Sequence, residues 1–267
     1  MADGDIALLE TSAVIDLCFW DEKTASKVKS ALEATGANGV VTPYVLFELA
    51  RSLLHYLILF HAKCRDLDTL SDVIAFAERL FMKKYYQGAV LKALEVFVAS
   101  ADKNFQLNGE QQMSALRAFL RLNIRRGWQS ARRMNDEGLN SILCRDLPDP
   151  VYTKDGAYSH DLPKSDCGRR DNCGLRPYFA LNKSHFEAVR NGLRQLAKRD
   201  TETEARIKSL RLLYKVDNRD FIADDCYRCG DAIICHEAIG LKALITKNIR
   251  HIGPIGQILG VNVVECR

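Results

Sequence analysis

Four polar residues stand where this sequence could hold an ion. Glu10 closes an apolar run in "IALLETSAVIDL", and Glu48 rides the apolar stretch "TPYVLFELARS". Asp231 opens "GDAIICHEAIG", and Asn248 follows "KALIT" in "ITKNIRH". Three carboxylates and an amide converging from separate segments repel one another unless a cation sits among them. All-oxygen ligation suits a hard ion, Mg2+ or Mn2+. Thr11 and Ser12, directly behind Glu10, would orient its carboxylate or a bound water. Each acid also has a local reading. Glu10 could approach a helix N-terminus, Glu48 could pair with Arg51 along one helix, and Asp231 could be a plain first-turn acid.

Shared chemistry requires elements that bring these positions together. Residues 6–9 have the length and flanks of a buried strand, and Ser12 is the expected N-cap of a short helix after it. "DEKTASKVKSALEATG" puts Ala25, Val28, Ala31 and Leu32 on one helical face, with Gly36 as its stop. "GVVTP" predicts a short strand, and Thr42 with Pro43 starts a long apolar helix over about 44–62. From about 66 to 136 the apolar spacing is helical throughout. Residues 147–179, rich in Pro, Gly, Asp and Cys, read as irregular, and helices follow near 184–198 and 201–214. The C-terminus returns to strand and helix: a helix opened by Asp231, a strand at "KALIT", a helical turn at "PIGQILG" and a closing strand at "VNVVEC".

Alternating strands and helices at both ends predict an α/β fold with a parallel sheet and helices on its faces. The expected organisation is one domain. Its core is formed by about residues 1–63 and 220–267, and 64–219 form a mostly helical, cysteine-bearing insertion. In such sheets ligands sit beyond the carboxyl ends of the strands, at a topological switch point.

Composition is permissive. The 267 residues are 47% hydrophobic and 27% charged, with a net charge of +4, which permits a polyanionic partner without demanding one. The acidic start "MADGDIALLE" lacks the basic region of a secretory signal. The most apolar run, "YVLFELARSLLHYLILF", is interrupted by Glu48, Arg51 and His55, so no membrane span is expected. Nine cysteines in an unsecreted chain favour reduced thiols or a metal site over disulfides, and the expected address is the cytoplasm.

The segments "ALLETSAVIDL", "VVTPYVLFELARS", "GDAIICHEA" and "ALITKNIRHI…LGVNVV" resemble the four motifs of the PIN-domain nucleases, in the family's order. The likeness covers roughly the first sixty and last forty residues and is not visible between them. It implies a PIN-like three-layer fold, a central parallel sheet flanked by helices. It also implies Mg2+- or Mn2+-dependent phosphodiester hydrolysis, most readily as an endoribonuclease on single-stranded or structured RNA. By motif, Glu10, Glu48, Asp231 and Asn248 would hold metal. Glu10, Glu48 and Asp231 would be catalytic, with Ser12, Asn248 and His251 in support. Lys247 reads as a surface residue.

Two departures bear on activity. The family's first acid is usually aspartate, and displacements as small as the extra methylene of Glu10 can cost on the order of 10²-fold in rate. Asn248, where the family often has an acid, lowers the charge of the site. A degenerate PIN-like module binding nucleic acid or a protein partner is therefore the alternative. A nuclease held silent by an inhibitory or recruiting protein is a further one. Oligomerisation is open.

Two other features invite ligands. "CYRC" (Cys226, Cys229) and "CGRRDNC" (Cys167, Cys173) together offer a tetrahedral zinc site that would pin the insertion, with His160 or Cys144 able to replace one ligand. Free thiols are the alternative, and Cys18, Cys64, Cys235 and Cys266 read as core. "RLNIRRGWQSARR" puts Arg121, Arg125, Arg126, Arg132 and Arg133 near Trp128. An exposed tryptophan there would stack a base at about 1–3 kcal/mol, whereas a buried one leaves only a solvated basic face.

Overall fold

The computed structural model describes residues 5–80, 82–100, 109–135, 149–154, 156–159, 174–212 and 223–267. Four parallel strands form the sheet, in the order β2-β1-β5-β6: β1 (Ile6–Leu9), β2 (Asn38–Val40), β5 (Ala243–Thr246) and β6 (Val263–Glu265). The strands come from both ends of the chain, as the sequence predicts. β1 and β5 are buried along their whole length, the pattern of strands covered by helices on both faces. The chain leaves β1 for β2 on one side, while β5 lies on the other, so the order switches between β1 and β5.

Local chemistry explains the elements beside this switch. After β1 comes α1 (Thr11–Cys18), and its N-cap is Glu10, not Ser12. The Glu10 carboxylate accepts from the Ser12 amide because the extended backbone at Glu10 aims it at the first free N–H groups of the helix. Helix α2 (Glu22–Thr35) is capped by Asp21 and stopped by Gly36, whose φ of 59° suits glycine. Thr42 caps α3 (Pro43–Leu49), with Pro43 in the first turn. A π-helical turn, Ala50–Leu54, then joins α3 to α4 (His55–Lys63), and a 3-10 turn ends it at Asp66.

The resulting helix, Pro43–Asp66, has 24 residues and is long and apolar enough to cross a membrane by length and composition. A core helix of a folded protein passes the same test. Here 61% of its apolar window is buried inside the structure. Phe47, Leu49, Leu54, Leu57 and Phe60 are all in the core.

The central part of the chain is helical where described: α5 (Leu70–Glu78), α6 (Lys84–Ser100) and α7 (Gly109–Arg133). A small antiparallel pair, β3 (Val151–Tyr152) and β4 (Tyr158–Ser159), interrupts the segment expected to be irregular. Helices α8 (Leu175–Leu181), α9 (Lys183–Gln195), α10 (Thr201–Leu212) and α11 (Ala223–Arg228) lead to α12 (Gly230–Glu237). The last helix, α13 (Ile249–Leu259), runs through Pro254 and is longer than the single turn expected.

Candidate functional site

Glu10 sits at the carboxyl end of β1, 6% exposed. Its amide donates to Ile245 O on β5, and its Oε2 accepts from Thr246 Oγ1 at 3.0 Å and from the Ser12 hydroxyl. The acid thus spans the β1/β5 switch. Ser12 also accepts from the Lys247 amide at 3.1 Å, which ties the end of β5 to the start of α1. Burial, only partly offset by the Ser12 hydrogen bonds and reinforced by the charge of Asp231, pushes the Glu10 carboxyl up to about 6.

Glu48 arrives from α3. Its Oε2 accepts from Thr11 Oγ1 at 2.7 Å, so Thr11 orients Glu48 and not the adjacent Glu10. Burial raises the Glu48 carboxyl to about 8 against the Thr11 hydrogen bond, and the charges of Asp231, Glu10 and Glu237 add to the rise. Gly230, at the start of α12, lies against this carboxylate, and a Cβ there would overlap Glu48 Oε1. A backbone that close to a carboxylate is the reason a glycine opens α12.

Asp231 follows in the first turn of α12. Burial raises its carboxyl, while Arg206 acts in the opposite direction. The Arg206 guanidinium, from α10, donates to Asp231 Oδ2, to Glu202 Oε1 at 3.3 Å and to the Arg228 carbonyl at 2.9 Å. Arg206 is 2% exposed. Helix α10 was expected, but no role for its arginine; "TETEARIKSL" has charged residues on every side, and only the packing of α10 against α11 selects the one that is buried.

The three expected acids are therefore within electrostatic reach of one another at the switch point. With all three ionised, Arg206 offsets Asp231. Among the described residues no lysine or arginine forms an ion pair with Glu10 or Glu48. Two protons or one divalent cation would balance the remaining charge, and oxygen donors suit Mg2+ or Mn2+. Yet no group of three or more His, Cys, Asp or Glu side chains stands in metal-holding geometry among the described residues. The charge and donor chemistry fit a divalent ion, with a guanidinium in the place of a cation at Asp231.

No protein family, characterised protein or solved structure matches this chain.

The supporting positions divide. Asn248 is half-buried at the start of α13; its amide donates to Thr246 Oγ1 at 2.8 Å, and its side chain does not cap the helix. His251 faces the neighbouring acids instead, with Nε2 3.6 Å from Glu202 and Nδ1 4.0 Å from Asp200. Lys247 pairs with Asp16 at 2.7 Å.

Of the two readings of Trp128, the structure has the buried one, and the base-stacking one falls. Trp128 is 2% exposed, and its indole N–H donates to Asp149 at 2.6 Å, so its face is closed to a base. The apolar face of α7 points into the core and carries the indole with it. Arg121, Arg125, Arg126, Arg132 and Arg133 are exposed, but Arg121 lies over the Tyr152 ring and Arg132 reaches both Trp128 and Asp149.

Cys226 and Cys229 are buried free thiols, and the Tyr44 hydroxyl donates to the Cys226 carbonyl at 3.1 Å. Burial drives the Cys229 thiol upward. Cys167, Cys173, His160 and Cys144 lie outside the described residues.

Proposed function

We propose that this chain is a PIN-like, divalent-metal-dependent nuclease, acting most readily as an endoribonuclease on single-stranded or structured RNA. One observation carries the reading: Glu10, Glu48 and Asp231, from segments far apart in sequence, lie within electrostatic reach of one another beside the β1/β5 switch, each buried with its carboxyl pushed upward. Strongly perturbed groups at a ligand-binding position of an α/β sheet mark a functional site.

Glu10, Glu48 and Asp231 would hold the ion, with Asn248 at the margin. When bound, Mg2+ or Mn2+ supplies Lewis-acid polarisation and a lowered water pKa. The chain's own groups do the positioning. Ser12 and Thr246 fix the Glu10 carboxylate, and Thr11 fixes that of Glu48. Arg206 favours the anionic form of Asp231.

The second reading, a degenerate module that binds nucleic acid or protein without cutting, is favoured by the guanidinium already neutralising Asp231. Labelled RNA incubated with Mn2+ and either wild type or Asp231→Asn separates the two. Cleavage by the wild type alone supports the nuclease. RNA binding without cleavage by either protein supports the module, and equal cleavage by both removes the site. A structural zinc on Cys226, Cys229, Cys167 and Cys173, and a cytoplasmic address, belong to the same proposal. Elemental analysis without stoichiometric zinc would end the former.

A further inference from the structure

Arg206 belongs to two places at once. Besides holding Asp231, it lines a cavity of about 370 Å³ between α9, α10 and α13. Lys198, Arg199 and Arg250 also line this cavity, against a single acid, Asp200. These three basic side chains are exposed, whereas Arg206 is buried at the inner end, next to Asp231. Arg199 is paired with Glu204 and Arg250 with Asp200, so Lys198 and the exposed Arg250 are the rim charges an anion could engage, and the cavity ends at the residue that pairs with Asp231.

We propose that this cavity takes a phosphate of a nucleic-acid backbone, and that Arg206 is shared between that phosphate and Asp231, so that strand binding releases Asp231 to a divalent cation. This rests on the nuclease reading above and names the subsite through which the substrate would act on it.

The contacts make the exchange chemically reasonable. A guanidinium fork matches a phosphate as well as it matches a carboxylate. Arg250 meets Asp200 at 2.9 Å with its side chain 76% exposed, and exposed pairs of this kind contribute little. Arg250 can thus turn to a phosphate at small cost. Lys198 extends the positive charge along the rim, where a strand's neighbouring phosphate would run, while Arg199 is held by Glu204 and the Arg194 carbonyl. His251 lies between Asp200 and Glu202 on the same wall. In the absence of a strand, Arg206 keeps Asp231 paired and the cation site incomplete. With a strand bound, the guanidinium keeps Glu202 and gains the phosphate in exchange for Asp231, whose carboxylate is left for a metal.

Two measurements on the full chain test this, neither of them an activity. The first is fluorescence anisotropy of a short labelled oligouridylate in EDTA, with wild type and the exposed double variant Lys198→Ala/Arg250→Ala. Weaker binding and a log K–log [salt] slope shallower by about 2 are expected for the variant, one for each lost phosphate contact. An unchanged affinity and slope overturn the cavity as a strand site. Inorganic phosphate displacing the oligomer at micromolar concentration also overturns it, in favour of a small phosphate ligand.

The second is Mn2+ affinity, read by electron paramagnetic resonance, for wild type and Arg206→Met, with circular dichroism confirming the fold. Wild type should bind Mn2+ about tenfold more tightly when the uncleaved oligouridylate is present, a coupling of ordinary allosteric size. Arg206→Met should show the higher affinity without it. If the oligomer leaves wild-type Mn2+ affinity unchanged, the sharing is overturned whether or not Arg206→Met folds. If neither protein binds Mn2+ while the strand still depends on Lys198 and Arg250, the nuclease reading fails and the sharing with it. If both bind Mn2+ tightly and equally, the nuclease reading stands and only the sharing falls.

Discussion

Thr11 and Glu48, from different helices, are joined by a 2.7 Å hydrogen bond in which the threonine hydroxyl donates to Glu48 Oε2, an interaction that favours the charged carboxylate. Of the interactions that lower the Glu48 pKa this is the largest, against burial and the charges of Asp231, Glu10 and Glu237. Thr11→Val keeps the shape and removes the donor. The Glu48 carboxyl should move above 8, and Mn2+ affinity at neutral pH should fall several-fold. Leaving the buried acceptor unsatisfied should cost about 1–3 kcal/mol of stability. Chemical denaturation and a Mn2+ titration read both; an unchanged Mn2+ isotherm would remove Glu48 from the site.

The pH dependence of stability has a definite sign. Glu10 and Glu48 have folded-state values of about 6 and about 8 against an ordinary 4.5. Between about pH 4.5 and 8 these two carboxyls therefore hold more protons in the folded chain than in the unfolded one, so their contribution to stability falls as pH rises, whereas burial lowers His55, His61 and His236 and their contribution rises with pH up to about 6.5. For Glu10 alone, the shift from 4.5 to about 6 corresponds to roughly 2 kcal/mol. In EDTA, Tm should decline from about pH 6.5 to mildly alkaline buffer, where the lowered histidines are neutral in both states and Glu48 still titrates, and Mn2+ should flatten the decline. A Tm that climbs across the same range would show that these carboxylates are not desolvated.

Gly230→Ala tests the close approach of α12 to Glu48. The new methyl would overlap Glu48 Oε1, the tip of a flexible side chain, so the carboxylate should swing aside while the fold survives. Alanine also favours the helix by about 1 kcal/mol relative to glycine. The expected outcome is a Tm within a few degrees of wild type with Mn2+ binding lost. Retained Mn2+ binding would mean that the position of Glu48 is not critical.

Gly127→Ala should act on stability alone. Its Cβ would lie 2.5 Å from Phe19 Cδ1, and Phe19 is a fully buried ring with no room to retreat. Overpacking of this kind costs about 1–3 kcal/mol. A denaturation midpoint equal to wild type would show that α7 and the end of α1 pack more loosely than described.

Much of this architecture was readable before any coordinates. Thr42-Pro43 opens α3, Gly36 closes α2, and the strands near both termini pair in one parallel sheet, because caps, stops and apolar runs act over a few residues. The three acids were legible for the same reason: each sits at the end of a recognisable element. The N-cap was misplaced by two residues, since a glutamate can do the work of a serine when the backbone before the helix is extended. Trp128 was ambiguous by sequence, because a basic helix with one apolar face offers the same spacing whether its indole meets a base or a core.

What the sequence determined by itself was the local grammar: which segments become strands and helices, where they stop, and which carboxylates lie at strand ends. The tertiary structure alone decided the electrostatics between them. It buried Arg206 against Asp231, gave Thr11 to Glu48, set the Gly230 backbone against that carboxylate and turned Trp128 inward. Periodicity and capping depend on neighbours a few residues away. Desolvation and charge pairing depend on which distant segments exclude water together, and that is a property of the packed chain.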